Sequence, residues 1–379
     1  MNIGIIGAGN IGTYLATYMS INEKNKVWIH TSRVDSFAKE LTLVETEKEL
    51  EHKVKIHKVT DNLSELVKSS DLILITHPSF MIEKTMNQIL ESVRPGTMVG
   101  TIPGFGGKEF YIEKLLAKGC VYFGTQRVPA ITRLEKYGEI VHLRQRNKFM
   151  KIAAVPGDKT QEICDILTDL IDIPCLPLKS YLAITLSPSN PTMHPSRLYE
   201  LFKDYDDTII YPDHSLFYEG WGTIASETLL ALDEELKEIV KSLNEFSDFE
   251  ESDFEEIKLR YNIEHPEELS EKIQTAVGFL TIKTPMKEDN DGFIPDLESR
   301  YFTEDLEYGL CIIKAFAELC NIATPTVDKV VCWAQNLFGK EYIVDGKLCG
   351  IDVKELVIPQ NMGITTKKDV IDYYKNKLK

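Results

Sequence analysis

The sequence predicts an α/β protein in two parts, a doubly wound parallel sheet followed by an all-helical domain. Three observations carry that expectation. Short apolar runs alternate with amphipathic helical stretches through the first half, as strands do when helices cover both faces of their sheet. A glycine-rich turn follows the first of those runs directly. From Ser196 onward the apolar positions recur with helical spacing and strand patterns fade.

Taken in order, Asn2–Ile6 is a continuous apolar strand, and Ile11–Ser20 is its helix, with Leu15, Tyr18 and Met19 on one side. Val27–Ile29 is the second strand. Asp71–Thr76, reading DLILIT, is apolar throughout, as a strand inside a parallel sheet is. Met81–Val93 is a helix that stops before Pro95-Gly96. Met98–Ile102 is a strand leading into the glycine-rich Pro103–Gly107, Phe110–Lys118 is helical, and Val121–Gly124 is a further strand. In the second half, Thr223–Leu243 is a long helix with Ile224, Leu229, Leu230, Leu232, Leu236 and Ile239 apolar. Leu306–Ala323 and Thr326–Leu337 are further helices, and Lys367–Lys379 is an amphipathic helix with a basic end. At 379 residues the chain suits two domains, 1–182 and 183–379. The acidic run Glu245–Glu256, with phenylalanines interspersed, reads as a solvated helix face or loop.

Composition narrows the function classes. A net charge of −16 argues against a nucleic-acid partner and against attachment to anionic membranes, because phosphate binding requires a basic face. No apolar run reaches the length of a membrane span. The N-terminal MNIGIIGAGN has no basic segment before its apolar stretch, so it reads as a buried strand and not as a signal peptide. The seven cysteines form no CxxC pair and no Cys/His cluster with zinc spacing, which implies reduced thiols in a cytoplasmic protein and no metal site.

Gly7-Ala8-Gly9-Asn10-Ile11-Gly12 fits G-x-G-x-x-G between a strand and a helix, the Rossmann context that makes the pattern specific for a dinucleotide. Gly7 permits the tight turn, Gly9 lets the backbone approach a pyrophosphate, and Gly12 lets helix and strand pack closely. The helix N-terminus then offers N–H groups and a positive dipole end to the phosphates. An acidic residue that binds the ribose of NAD is expected about 20 residues beyond the glycines. The chain reads His30-Thr31-Ser32-Arg33 there, with no carboxylate before Asp35. Thr31 and Ser32 offer hydroxyls, and Arg33 offers a planar fork for a 2′-phosphate, so NADP is the preferred cofactor and NAD the alternative. His77-Pro78 ends a strand and is expected beside the cofactor.

A nicotinamide carries hydride but leaves proton transfer to the protein, and imidazole titrates in the useful range. His194, in Asn190–Pro195 (NPTMHP), follows a Pro- and Ser-rich stretch just past the expected domain boundary, and clefts between domains are common substrate sites. The later segment Ser299–Asp305 offers two partners. Asp305 can orient an imidazole and stabilise its charged form, and Arg300 suits the carboxylate of a small acid. Spacing alone equally allows a structural salt bridge between Arg300 and Asp305.

At these residues the chain resembles the opine dehydrogenases of the octopine/nopaline and carboxyethyl-norvaline type. The similarity runs nearly end to end. Its most specific pieces are Asn190–Pro195, Phe217–Gly220 (FYEG), Ser299–Leu310 (SRYFTEDLEYGL) and Thr324-Pro325, with Pro103–Gly107 as a further family-like turn. The resemblance implies a Rossmann domain joined to a helical domain like that of the 6-phosphogluconate dehydrogenase group. It implies that His194 and Asp305 form a catalytic dyad. It also implies that Arg300 binds substrate carboxylates and that Asn190 and Tyr218 line the same pocket. Relatives that use NAD can carry aspartate where this chain has Thr31, which agrees with NADP. The implied reaction joins an amino acid to a 2-oxo acid such as pyruvate through an imine reduced by hydride, in an enzyme whose assembly could be a homodimer. Arg127 and Arg133, in QRVPAITR, stand as further candidates for the cleft, with ordinary salt bridges as the alternative. Two rival functions share this scaffold: a reductase or dehydrogenase of a simple 2-oxo or 2-hydroxy acid, and an NAD(P)-binding sensor without turnover.

Overall fold

A computed structural model describes residues 1–244, 253–289 and 292–378. The chain forms two compact units, Met1–Thr185 with Tyr374–Lys379, and Leu186–Tyr373. The end of the chain therefore does not stay with the helical part, as the sequence reading had it. The physical reason is a buried anchor: the Tyr374 hydroxyl donates to Glu109 Oε1 at 2.6 Å inside the first unit.

The first unit is built on an eight-stranded sheet. From one edge its strands are Cys175–Pro177, Met150–Val155, Val121–Thr125, Met98–Thr101, Leu72–Ile75, Asn2–Ile6, Lys26–His30 and Lys58–Thr60. Every neighbouring pair is parallel except Met150–Val155, which runs antiparallel to Val121–Thr125. Leu72, Ile73, Leu74 and Ile75 are all fully buried, which explains their unbroken apolar run. The strand order reverses at Asn2–Ile6, which pairs with Lys26–His30 on one side and Leu72–Ile75 on the other. In open α/β sheets the crevice at such a point, beyond the strand C-termini, takes the ligand. Gly7 and His77 stand just past those two strand ends.

A second, four-stranded sheet is an addition that the sequence reading did not contain. Its order is Leu50–Val54, Leu41–Glu45, Ile140–Arg146, Ala130–Lys136. Ile140–Arg146 pairs parallel with Leu41–Glu45 and antiparallel with Ala130–Lys136. Its hairpin reaches the glycine loop, where Leu134 N donates to Asn10 Oδ1 at 2.8 Å.

The second unit is mostly helical. Its principal helices are Asn190–Phe202, Thr223–Asn244, Pro266–Thr275, Arg300–Asp305, Cys311–Cys320 and Pro325–Phe338. Leu198, Phe202, Phe217, Trp221, Leu229, Leu269, Ile273 and Phe302 form its core. Two short hairpins interrupt the helices, Met286–Asp289 with Gly292–Pro295 and Ile343–Val344 with Lys347–Leu348. The helix expected over Leu306–Ala323 is not uniform. Leu306–Leu310 is a single π turn between Arg300–Asp305 and Cys311–Cys320, an irregularity common at functional sites. Most of the acidic run Glu245–Glu256 lies outside the described residues; at its end, Glu256 pairs with Lys237 at 2.9 Å. No helix among the described residues is long and apolar enough to cross a membrane.

Candidate active site

The glycine loop separates what the fold needs from what a ligand needs. Gly7 has φ +108°, a backbone that other residues rarely adopt, and a Cβ at Gly12 would meet Gly7 O at 1.8 Å. The fold itself therefore requires those two glycines. Gly9 is different: its φ is −80°, and a Cβ there would meet nothing within 4 Å. Only a group lying against the backbone needs that position bare. Among the described residues no side chain caps the helix Asn10–Ser20, and its first turn holds no acidic residue, so its N–H groups suit an anion. These residues fit a dinucleotide pyrophosphate.

The other first-unit candidates take distinct positions. Ala8 O accepts the Thr13 hydroxyl, and the Asn10 side chain is engaged with Leu134, so any contact from these residues to a phosphate comes through the backbone. The Thr31 hydroxyl lies 2.6 Å from the Tyr137 hydroxyl and accepts from Arg33 N at 3.1 Å. The Arg33 guanidinium stacks 3.6 Å from the centre of the Tyr137 ring, beside the exposed Ser32. Tyr137, from the second sheet's hairpin, is a residue sequence reasoning missed; it preorganises Arg33 by cation–π contact. His77 lies close enough to Gly7 that a Cβ there would meet His77 Cδ2 at 3.0 Å, and its Nδ1 is 2.9 Å from Thr85 Oγ1. Burial, with the charges of His30 and Lys108 behind it, lowers its pKa to about 4, so His77 is neutral at neutral pH. Pro78 O accepts from Met81 N and shapes the turn. Arg127 and Arg133 each donate to a backbone carbonyl, of Gln126 and Thr132. Among the described residues no group of His, Cys, Asp and Glu has the arrangement of a metal site.

In the second unit the helix around His194 begins at Asn190, six residues earlier than the first helical position expected. Pro191 falls in its first turn, where a missing N–H costs nothing. Exposed Asn190 and buried His194 therefore stand one turn apart on one face. This helix crosses the segment Arg300–Leu310 closely. A Cβ on Gly309 would meet Pro191 Cβ at 2.3 Å, and one turn away along each segment His194 Nδ1 lies 2.6 Å from Asp305 Oδ2. The glycine permits the crossing that joins the pair.

Both members are about 95% buried, with 4% and 5% exposure. Burial pushes the Asp305 carboxyl above the ordinary range, and the adjacent His194 works against that rise. The imidazole is enclosed on its other sides. Its Nε2 lies 2.8 Å from the Tyr218 hydroxyl. Tyr301 stacks on one face with ring centres 4.0 Å apart, and Phe217 meets the ring edge-on at 5.7 Å. A fixed tautomer, a carboxylate to balance an imidazolium and an aromatic face beside it make a group suited to carrying protons.

The FYEG segment is held by groups the sequence reading did not single out. Arg197, one turn after His194, donates from Nε to Phe217 O at 2.9 Å and pairs with Glu200. Glu200 accepts from Gly222 N at 2.9 Å and Ala225 N at 3.2 Å, tying down the start of the helix Thr223–Asn244. The i, i+3 spacing of Arg197 and Glu200 was a visible signal for that pair. Arg300 is not brought to Asp305. Its side chain is 60% exposed and lies 3.6 Å from Glu304.

Comparison with known proteins follows the same division of the chain. Residues 177–338 match the family model described as NAD/NADP octopine/nopaline dehydrogenase, alpha-helical domain. Residues 3–156 match the model described as ketopantoate reductase PanE/ApbA. Among curated proteins, a tauropine dehydrogenase from Arabella iricolor is 29% identical across 97% of this chain and 99% of its own. An opine dehydrogenase from Haliotis discus hannai is 27% identical across 85% and 83%, and an octopine dehydrogenase from Pecten maximus is 26% identical across 87% and 86%. Among solved structures, an octopine dehydrogenase with NADH and L-arginine superposes with a TM-score of 0.83 at 24% identity, covering 98% of both chains. A yersinopine dehydrogenase with NADP+ gives 0.65 at 15%, covering 98% and 99%.

Proposed function

Since the chain belongs to the opine dehydrogenase family of NAD(P)-dependent oxidoreductases acting on CH–NH bonds, we propose that it joins an amino acid to a 2-oxo acid such as pyruvate by reductive condensation. The observation that carries this reading is the buried chain of Asp305, His194 and Tyr218, linked at 2.6 and 2.8 Å. Condensation of an amine with a ketone needs protons moved twice, off nitrogen and onto the departing oxygen, before any reduction.

In this reading the first unit holds the cofactor and the second carries the proton chemistry. Gly7, Gly9, Gly12 and the N–H groups at the start of Asn10–Ser20 bind the pyrophosphate. We assign a preference for NADP over NAD, supported by the Arg33 fork braced on Tyr137 and by the hydroxyls of Thr31 and Ser32. The hydride that reduces the imine carbon comes from the bound nicotinamide. His194 takes a proton from the attacking amine and returns one to the oxygen that leaves as water, while Asp305 holds Nδ1–H and stabilises the imidazolium. Exposed Arg300, in only a loose contact with Glu304, pairs with a substrate carboxylate, and Asn190 and Tyr218 line the same site. All seven cysteines are unpaired, which supports a cytoplasmic location.

The match of residues 3–156 to a ketopantoate reductase model keeps one other reading in view, reduction of a simple 2-oxo acid. Following NADPH oxidation with pyruvate alone and with a panel of amino acids separates the two. Turnover that requires the amine, with a secondary-amine dicarboxylate as product by mass, is expected; equal turnover without amine rules out the condensation.

A further inference from the structure

We propose that the Tyr218 hydroxyl is the group that exchanges protons with the substrate, relaying them to and from His194; this deepens the reading above and rests on it. Both nitrogens of the imidazole are occupied, Nδ1 by Asp305 Oδ2 at 2.6 Å and Nε2 by Tyr218 at 2.8 Å. One face of the ring is covered by Tyr301 at 4.0 Å between centres, and Phe217 lies edge-on to it. Residue exposure does not separate the two groups, at 4% for His194 and 5% for Tyr218; the engagement of both ring nitrogens does. A proton bound for His194 must pass through Tyr218 or wait for Tyr218 to leave.

The structure argues against leaving. The Tyr218 ring is stacked on Phe279 with centres 4.2 Å apart and 13° between planes. Before it in the chain, Phe217 is pinned by the Arg197 bond to its carbonyl. After it, Trp221 is fully buried with its indole N–H donating to Ser226 at 2.9 Å, and Gly222 N is held by Glu200. A swing of Tyr218 would break this brace on both sides. Arg197 and Glu200 are accordingly positioning residues for the relay.

The relay fits dehydration of the carbinolamine. The Tyr218 O–H proton passes to the carbinolamine hydroxyl as its C–O bond breaks and the nitrogen lone pair forms C=N. In the same step the phenol oxygen takes the proton from His194 Nε2–H. Water leaves, the substrate becomes a protonated imine, His194 becomes neutral, and Tyr218 ends as it began. Because the two transfers occur together, no phenolate is formed, and the weak acidity of a phenol is no obstacle.

The test is Tyr218→Phe in the full-length enzyme, which removes one oxygen and keeps the ring stack. Expected are a fall in kcat of about 100-fold or more, within the range for one general acid–base group, and unchanged NADPH binding. A proton inventory on kcat, in mixtures of light and heavy water, should be curved for the wild type and lose that curvature in the variant. A purely structural role would shift KM or melting temperature and leave the inventory as it was. As a second variant that keeps the hydroxyl, 3-fluorotyrosine at position 218 should change kcat through the acidity of the phenol alone. A Tyr218→Phe enzyme with near-normal kcat and an unchanged inventory, beside an inactive His194→Asn, overturns the relay and leaves the condensation reading standing. A wild type without amine-dependent turnover overturns both.

Discussion

Replacing Asp305 with asparagine isolates what the carboxylate does for His194. The side chain keeps its shape and loses its charge. In the native protein the 2.6 Å contact to His194 Nδ1 is buried on both sides, the setting in which a charge-assisted bond is strongest. Such bonds are worth about 1.5–3 kcal/mol against about 1 kcal/mol for neutral ones. At 1.36 kcal/mol per tenfold in rate, losing that difference whenever an imidazolium forms predicts a fall in kcat of about 10-fold. The amide can also turn its NH2 toward Nδ1. That would move the ring proton to Nε2 and reverse the bond to Tyr218, and the corresponding exchange in a serine-protease triad costs about 10⁴-fold. The expected fall therefore lies between about 10-fold and 10⁴-fold. Stability should move the other way. Burial raises the Asp305 carboxyl, so its ionised form opposes folding as pH rises through the shifted value, and the neutral amide is spared that cost. The assay is NADPH oxidation under saturating substrates, with thermal unfolding of the same preparations. An Asp305→Asn enzyme with kcat within about threefold of the wild type would refute the reasoning.

Three further outcomes are expected. Gly309→Ala should gain about 1 kcal/mol of helix propensity, but the Cβ would meet Pro191 at 2.3 Å, and overpacking costs about 1–3 kcal/mol, so the clash wins. A lower melting temperature and reduced kcat are predicted, and a rise in both would contradict the close crossing. Arg33→Ala should weaken binding of 2′,5′-ADP by about 10- to 100-fold and spare 5′-AMP, as measured by calorimetry; equal weakening of both would remove the 2′-phosphate assignment. His77 is held neutral down to about pH 4, whereas the unfolded chain takes up that proton near its ordinary 6.5. The unfolded state therefore binds more protons between those values, and stability falls as pH drops through that window, by about 1–3 kcal/mol. Urea unfolding of His77→Asn should show a flatter pH dependence there; an unchanged slope would contradict the buried neutral state.

Much of the first unit was legible because its central strands are apolar from end to end. Leu72–Ile75 and the glycine loop need no knowledge of distant residues. The second sheet was not, for two reasons. Its outer strand, LEHKV, is mostly exposed, so no apolar pattern marks it. Its central pairing joins Leu41–Glu45 to Ile140–Arg146 across roughly a hundred residues, which local periodicity does not record. In the second unit, NPTMHP lies ahead of the helices expected from Ser196 onward, and it holds two prolines. One falls in the first turn and is harmless; the other, Pro195, lies inside the helix, where neighbouring packing overrides local preference. His194 and Asp305 could be named from the family resemblance, but their meeting depends on Gly309, whose importance appears only once Pro191 is seen against it. Tyr301 went unnoticed because ring stacking leaves no spacing rule in a sequence.

The most direct measurement is steady-state turnover of His194→Ala with NADPH, pyruvate and the best amino acid, taken together with a binding titration of NADPH to the same protein. A proton-carrying His194 predicts that kcat falls by about 10²- to 10⁴-fold while cofactor affinity stays near that of the wild type. Near-normal turnover with intact NADPH binding would contradict it.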